Sequence, residues 1–447
     1  MNKEERTKNK VKKIRRFLIS HRSLFSVLCS LFFVLCSCAS TGMNNDSIAI
    51  PADIAGLVHA GETRTSEEYA LLDRMGASWV LATFYWGRIQ RAEDQWNFES
   101  YDLYVDTAKA AGKKVLGVLG YDVAWIHDDG KTKKYIPPDK LHYFYEYVRQ
   151  TAEHFQGRVD AWCIWNEPNF HFWQGSRDEF FVLARGAADA LREVDPDVIL
   201  LGGAFNRGVF GLPKAYIRGL FESGAMEKAD GLAFHPYELN PARTAKLYHK
   251  FRAIAADYDF ADRIWVTEVG YPTGGLYPTK TTEKKFPAFV AKTFVNLAVS
   301  GTHTIMWYEL FDSQERKRSN SEDFFGLVRS KTDYTSKGAE AFSLCAVHLA
   351  GTVYRPDLPQ REKLPNSLHT FYFEQPEGEG GTLVLWKKGG GSAKLRLQIP
   401  GDSNAVMHNP VSGDAAAISA ETIITVRSMP VFVTWQGNHQ PVLVKRR

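Results

Sequence analysis

The stretch Trp162-Cys163-Ile164-Trp165-Asn166-Glu167-Pro168-Asn169 decides how this chain reads. Its first four residues are apolar and strand-like, and a glutamate follows at once between an amide and a proline. An apolar strand that stops on a carboxylate presents it at the edge of a sheet, where barrels of parallel strands hold their working groups. The same arrangement returns in Ile264-Trp265-Val266-Thr267-Glu268-Val269-Gly270-Tyr271.

Working outward, short apolar runs at residues 54–58, 79–84, 115–119, 161–165, 198–202, 231–234, 263–267 and 304–307 read as strands. Stretches with helical spacing, at 65–75, 101–111, 140–155, 178–194, 212–223, 244–257, 286–300 and 336–349, alternate with them. Gly112 and Gly157 stand just past two of these helices, and Pro196 stops a third. Eight strand-then-helix units predict an α/β chain folded as a (β/α)8 TIM barrel over residues 48–351; a doubly wound open sheet is the alternative. In the closed form strands 4 and 7 face each other across one mouth, so Glu167 and Glu268 meet there.

After Gly351 the texture changes. Residues 368–373, 382–386, 393–399, 422–426 and 431–435 alternate apolar with polar positions, separated by turns such as Gly389-Gly390-Gly391 and Pro400-Gly401-Asp402. Residues 352–447 therefore read as a small antiparallel β-sandwich module. No internal repeat of solenoid or propeller period is visible.

The N-terminus reads as a targeting segment. Lys3, Arg6, Lys8, Lys10, Lys12, Lys13, Arg15, Arg16 and Arg22 outnumber Glu4 and Glu5, and the apolar residues 24–35 are too few to span a bilayer comfortably. They lead into Leu35-Cys36-Ser37-Cys38, which resembles a bacterial lipobox and implies a signal peptide at 1–37, lipidation of Cys38 and a polar tether at 38–47. Cys36 departs from that pattern; an uncleaved anchor or an ordinary signal peptide cut near Ala39 would be the other outcomes. The formal charge of +4 becomes −3 once the +7 of this leader is set aside, so the basic balance belongs to export and argues against nucleic acid as a partner. With 44% hydrophobic and 24% charged residues, the 447-residue chain can bury a large core. Three of its five cysteines lie in the leader; Cys163 and Cys345 read as buried free thiols, and no Cys/His spacing suggests a metal.

Two glutamates across a barrel mouth suit acetal hydrolysis, which needs one group to protonate the leaving oxygen and another to meet the oxocarbenium ion. Neither cofactor nor metal is required. Taken singly, each motif has a plainer account: Asn-Glu-Pro opens helices, His235 could be a hydrogen-bonded core histidine, and the tryptophans could be core. Together, Trp-Asn-Glu-Pro-Asn after strand 4, Thr-Glu-Val-Gly-Tyr after strand 7 and His235-Pro236-Tyr237 after strand 6 resemble clan A of the glycoside hydrolases. With Gly120-Tyr121-Asp122-Val123-Ala124-Trp125, Trp307-Tyr308-Glu309-Leu310 and the trailing module, the chain is most similar to family 39 and its relatives.

That resemblance implies a retaining β-glycosidase acting by double displacement, with Glu167 as acid/base and Glu268 as nucleophile. It also implies that Asn166 contacts the sugar 2-hydroxyl, that Tyr237 beside His235 touches the nucleophile, and that Trp307 lies under the sugar. Trp173 and Trp125 are further candidate sugar contacts; Phe170 and Phe172, in the loop past the acid/base, stay open between sugar platform and core, His59 and Asp122 face the mouth by position, and Glu309 reads as a supporting residue. Two departures stand out: Leu81 aligns with an arginine that relatives place at the end of strand 2, with Arg88 a few residues on, and Cys163 replaces a frequent glutamate. The expected partners are a carbohydrate substrate and, through the lipid anchor, the bacterial cell envelope on its periplasmic or outer side; no obligate protein partner is evident. The competing expectations are an inactive or weak envelope lipoprotein that binds carbohydrate, and an assembly lipoprotein whose barrel displays the module.

Overall fold

The computed structural model describes residues 47–58, 65–207, 211–277, 280–313, 315–331, 333, 335–357, 361–362, 364–399, 404–437 and 441–445. The leader, Cys38 and His59 lie outside the described residues. No described helix is long and apolar enough to cross a membrane.

Eight parallel strands close into a barrel: β1 (Ala55–Val58), β2 (Trp79–Tyr85), β3 (Lys114–Gly120), β4 (Ala161–Ile164), β5 (Ile199–Asn206), β6 (Gly231–His235), β7 (Ile264–Val269) and β8 (Ile305–Trp307). The ring closes where β8 pairs with β1, Ile305 opposite Ala55 and Trp307 opposite Leu57. The main helices are α1 (Ser66–Arg74), α2 (Glu99–Ala110), α3 (Leu141–His154), α4 (Arg177–Val194), α5 (Lys214–Glu222), α6 (Pro241–Ala256), α7 (Phe286–Ala298) and α8 (Ala339–Leu349). This is the (β/α)8 barrel that the strand-helix rhythm predicts.

Alternation along the strands explains their all-apolar character. Leu81, Val118, Cys163, Ala233, Trp265 and Met306 pack together inside the barrel. The residues next to them, among them Val80, Leu119, Trp162, Phe234, Val266 and Trp307, point the other way into the layer beneath the helices. Both faces are covered, so neither can be polar. Helices begin where side chains satisfy their first amides: Thr65 and Glu68 form a capping box on α1, and Ser176 and Glu179 form another on α4.

The residues after the barrel build two sheets. The larger orders Ile48–Ala49, Val353–Arg355, Leu368–Glu374, Gly380–Lys387, Val431–Gln436, Ala405–His408 and Ala415–Ile418. The smaller orders Arg361–Glu362, Val442–Lys445, Ala393–Gln398 and Glu421–Val426. Leu383, Leu385 and Val433 of one meet Leu395, Leu397 and Ile424 of the other in a shared core, as in a sandwich. The opposite face of the larger sheet, with Phe373, Val384, Trp386 and Phe432, belongs to the barrel's own core, and Lys292 of α7 lies 5.8 Å over the Trp386 ring. Ile48 and Ala49, which precede the barrel, pair with Tyr354 and Val353 in this sheet.

Several strands run past their apolar runs, β5 the furthest. β2 extends to Tyr85, so Leu81 fills the barrel interior several residues below the mouth, and the strand end that the resemblance reserves for an arginine carries Tyr85. Arg88 lies 5.0 Å over the Tyr85 ring. β5 continues past Gly202-Gly203 to Asn206, its register against β6 shifting between Gly203 and Phe205.

Candidate active site

Glu167 follows β4 in an unusual backbone. Trp165 has φ +67° and Glu167 has φ +45°, left-handed values that cost a side-chain-bearing residue about 1–3 kcal/mol each. The Glu167 amide donates to the Ala204 carbonyl of β5 at 3.0 Å, holding the turn open at the mouth. Glu268 lies on β7 where the pairing with β8 shifts between Val266 and Val269. Such an irregularity re-aims a side chain, and it lets both Thr267 and Glu268 reach the site.

His235, at the end of β6, joins the two carboxylates. Its Nδ1 is 2.8 Å from Glu167 Oε1 and 3.5 Å from Glu268 Oε2, and its Nε2 is 3.0 Å from Thr267 Oγ1. Asn206 Nδ2 donates to Glu167 Oε1 at 2.8 Å, and the Tyr237 hydroxyl donates to Glu268 Oε2 at 3.0 Å. One oxygen of each glutamate and a ring nitrogen of His235 all lie within 4.8 Å of one another. By spacing alone these three could hold a cation, the one such set among the described residues. Their hydrogen bonds to one another and to Asn206, Tyr237 and Thr267 already engage the facing atoms.

The electrostatics follow from enclosure. Burial pushes Glu268 up to about 7, the facing Glu167 adds to the rise, and His235 and the Tyr237 hydroxyl pull it partly back. Burial would lower His235, but the attraction of Glu268 and the bond to Glu167 outweigh it, and the imidazole is raised. Tyr237 is buried beside Glu268 and pushed well above its ordinary value, so it remains a donor. The rise falls on Glu268, so in this unliganded form the proton sits on that carboxyl within a coupled set, and attack by Glu268 requires its ionisation, which His235 and the Tyr237 hydroxyl favour.

The aromatic candidates fare differently. Trp307 is wholly buried, 6.1 Å from both Tyr271 and Phe286, and cannot lie under a sugar in this form. The reason is strand alternation: Met306 takes the barrel interior, so Trp307 points outward, and Tyr308 is the residue that turns back against the interior. Trp173 is also buried, packed between Trp165, Tyr135 and Phe180, with its indole donating to the Ser176 carbonyl at 2.9 Å. Trp125 is half-buried on a short turn against Trp86 and Tyr143 and donates to the Gln90 carbonyl. Asp122 is buried and accepts from the Lys134 amide at 2.9 Å beside His127, which makes it a loop anchor.

Asn166 stays half-buried at the mouth and bonds the Tyr121 phenol. Tyr121 itself stands edge-on to Trp165 and parallel to Phe172, within the electrostatic reach of both glutamates. The sequence motifs did not single out Asn206, Thr267, Tyr121 or Tyr308 as site residues. Their signal is positional: each lies within or just beyond a strand end. Glu322 is missed too; its carboxylate receives the phenols of Tyr308 and Tyr277 and feels the charge of Glu167. It lies in a loop with no signal in the local sequence.

No protein-family model and no curated protein matches the sequence. Among solved structures, a family 39 glycoside hydrolase from the gut symbiont Bacteroides cellulosilyticus WH2 superposes with a TM-score of 0.71 at 19% identity, over 86% of this chain and 81% of that one. A family 39 β-xylosidase from Caulobacter crescentus gives 0.60 at 15% identity, over 87% and 98%. A family 30 endoxylanase from Clostridium papyrosolvens C71 gives 0.59 at 12% identity, over 88% and 98%. At these identities the likeness is one of fold: a barrel with an appended β module, shared with proteins described as glycoside hydrolases.

Proposed function

We propose that the chain is a retaining clan A glycosidase that cleaves β-glycosidic bonds in an oligo- or polysaccharide. The observation that carries this is the close approach of Glu167 and Glu268 at the barrel mouth, within 4.8 Å through one oxygen of each. Retaining enzymes hold their carboxyl groups about 5–5.5 Å apart and inverting ones about 6.5–9.5 Å, because only the latter must fit a water between carboxylate and sugar. In the proposed cycle Glu268 attacks the anomeric carbon while Glu167 protonates the departing oxygen. The glycosyl-enzyme ester then yields to a water that Glu167 deprotonates, and Glu268 leaves as a carboxylate. His235 and Asn206 hold the Glu167 carboxyl, and Tyr237 steadies Glu268. Asn166 is the candidate for the 2-hydroxyl, and Tyr121 and Tyr308 replace Trp307 and Trp173 as the aromatic surfaces for sugar.

A carbohydrate-binding protein without turnover would share this fold. Its main support in the sequence was Leu81, which lies in the barrel interior, away from the strand end in question. The enzyme itself would act outside the cytoplasmic membrane, tethered through lipid on Cys38; membrane-fraction retention that survives Cys38→Ser would refute that tether. For the activity, sugar release from a panel of β-linked glycans is the test, with Glu167→Gln and Glu268→Gln alongside. Product from one glycan that falls at least about 1,000-fold in both variants supports the proposal. Retained binding with no product anywhere favours the binding protein.

A further inference from the structure

The mouth contains a third carboxylate that the double-displacement chemistry does not use. Glu322 sits on the single 3-10 turn Ser321–Phe324, in the long loop between β8 and α8. Its side chain is exposed, while its carboxylate is shared by two phenols, those of Tyr308 and Tyr277.

The loop is fixed from several sides. The Tyr277 amide donates to Ser321 Oγ at 2.8 Å, the Thr273 amide to the Phe324 carbonyl at 3.0 Å, and the Glu322 amide to Asn320 Oδ1 at 3.3 Å. Behind the turn, Lys337 and Asp312 form a buried ion pair at 2.6 Å, and Asp312 also accepts from the Gly326 amide. Phe325 stands between Tyr308, at 5.3 Å, and Tyr237, at 6.1 Å, so the turn abuts the residue that bonds Glu268. Glu322 lies within the electrostatic reach of Glu167, Glu268 and Tyr237.

A carboxylate has about four acceptor positions, and two phenols leave room for two more donors. Among the described residues no cation forms an ion pair with Glu322. An acceptor with spare capacity, close to the Glu167–Glu268 pair and with no paired cation among the described residues, suits sugar hydroxyls and repels a substrate that brings its own carboxylate. Resting on the sugar-cleft assignment above, we infer that Glu322 grips the hydroxyls of an uncharged sugar beside the Glu167–Glu268 pair and excludes uronates. A cation that would serve the opposite preference is Lys134, which lies 4.6 Å over Phe172, the ring parallel to Tyr121.

The test is equilibrium binding of free monosaccharides to the full-length chain, which needs no turnover. Glucose, galactose and xylose are compared with glucuronate and galacturonate, in the native protein, Glu322→Gln and Tyr277→Phe. A hydrogen bond to a charged group implies about a tenfold or greater advantage for a neutral sugar over its uronate, lost together with neutral-sugar affinity in Glu322→Gln and reduced in Tyr277→Phe. Uronates bound as well as neutral sugars, neutral-sugar binding unchanged in Glu322→Gln, or no binding by any of the five would each overturn the inference; the first would point to Lys134. If the neutral preference holds but no glycan is cleaved, the glycosidase assignment falls and the role of Glu322 stands.

Discussion

Glu268 is held at a cost to the fold. Its ordinary value of 4.5 is raised to about 7, chiefly by burial, so between those pH values the folded chain keeps a proton that the unfolded chain has released. Stability therefore falls as pH rises from 4.5 to 7 and is level above that window as far as this group is concerned. Glu268→Gln removes the charge but keeps an acceptor for Tyr237. The variant is expected to melt above the native protein at pH 7.5 and level with it at pH 4.5, by scanning calorimetry at both values. A native protein that melts higher at pH 7.5 would refute the assignment of burial as the dominant cause. The strained backbone at Trp165 and Glu167 belongs to the same pattern, in which the mouth trades stability for position.

Among the elements, strand ends and the long β8–α8 loop do the positioning. The apolar runs located all eight barrel strands, because burial on both faces leaves an unbroken hydrophobic signature. They could not say where β5 stops, since Gly202-Gly203 looks like a turn, and so Asn206 was hidden. The outward direction of Trp307 was equally illegible: one residue of phase decides between mouth and core, and only pairing fixes the phase. Both glutamates were legible because a carboxylate at the C-terminal end of a doubly covered apolar run sits at the edge of the core, where a charge is costly unless a site uses it. Glu322 was not, because packing between loops far apart in sequence places it. That loop depends on the Asp312–Lys337 pair, both side chains at most 1% exposed. Asp312→Ala strands a buried lysine and an amide, and should cost about 3–5 kcal/mol in denaturant unfolding, with loss of activity below the midpoint. A change under about 1 kcal/mol would mean the pair is idle.

For the whole molecule, barrel and module share one hydrophobic core, and the segment just before the barrel is a strand of the module's sheet. The change in texture after Gly351 revealed a second architecture, but five alternating runs could not show that one of its faces docks on the barrel. Removing residues 352–447 takes away Phe373, Val384, Trp386 and Phe432 and uncovers the apolar barrel residues that share their core. The truncated chain should aggregate or be digested at once by a protease that leaves the full chain intact. A soluble, protease-resistant barrel would show that the module is dispensable for folding and would reopen a separate role for it.

The most direct test of the central claim is the configuration of the first sugar released. Proton NMR during hydrolysis of a 4-nitrophenyl β-glycoside drawn from the productive class should show the β-anomer first, with the α-anomer rising only by slow mutarotation, and neither glutamine variant should produce it. The α-anomer first, or unchanged product from Glu167→Gln or Glu268→Gln, would contradict double displacement by this pair.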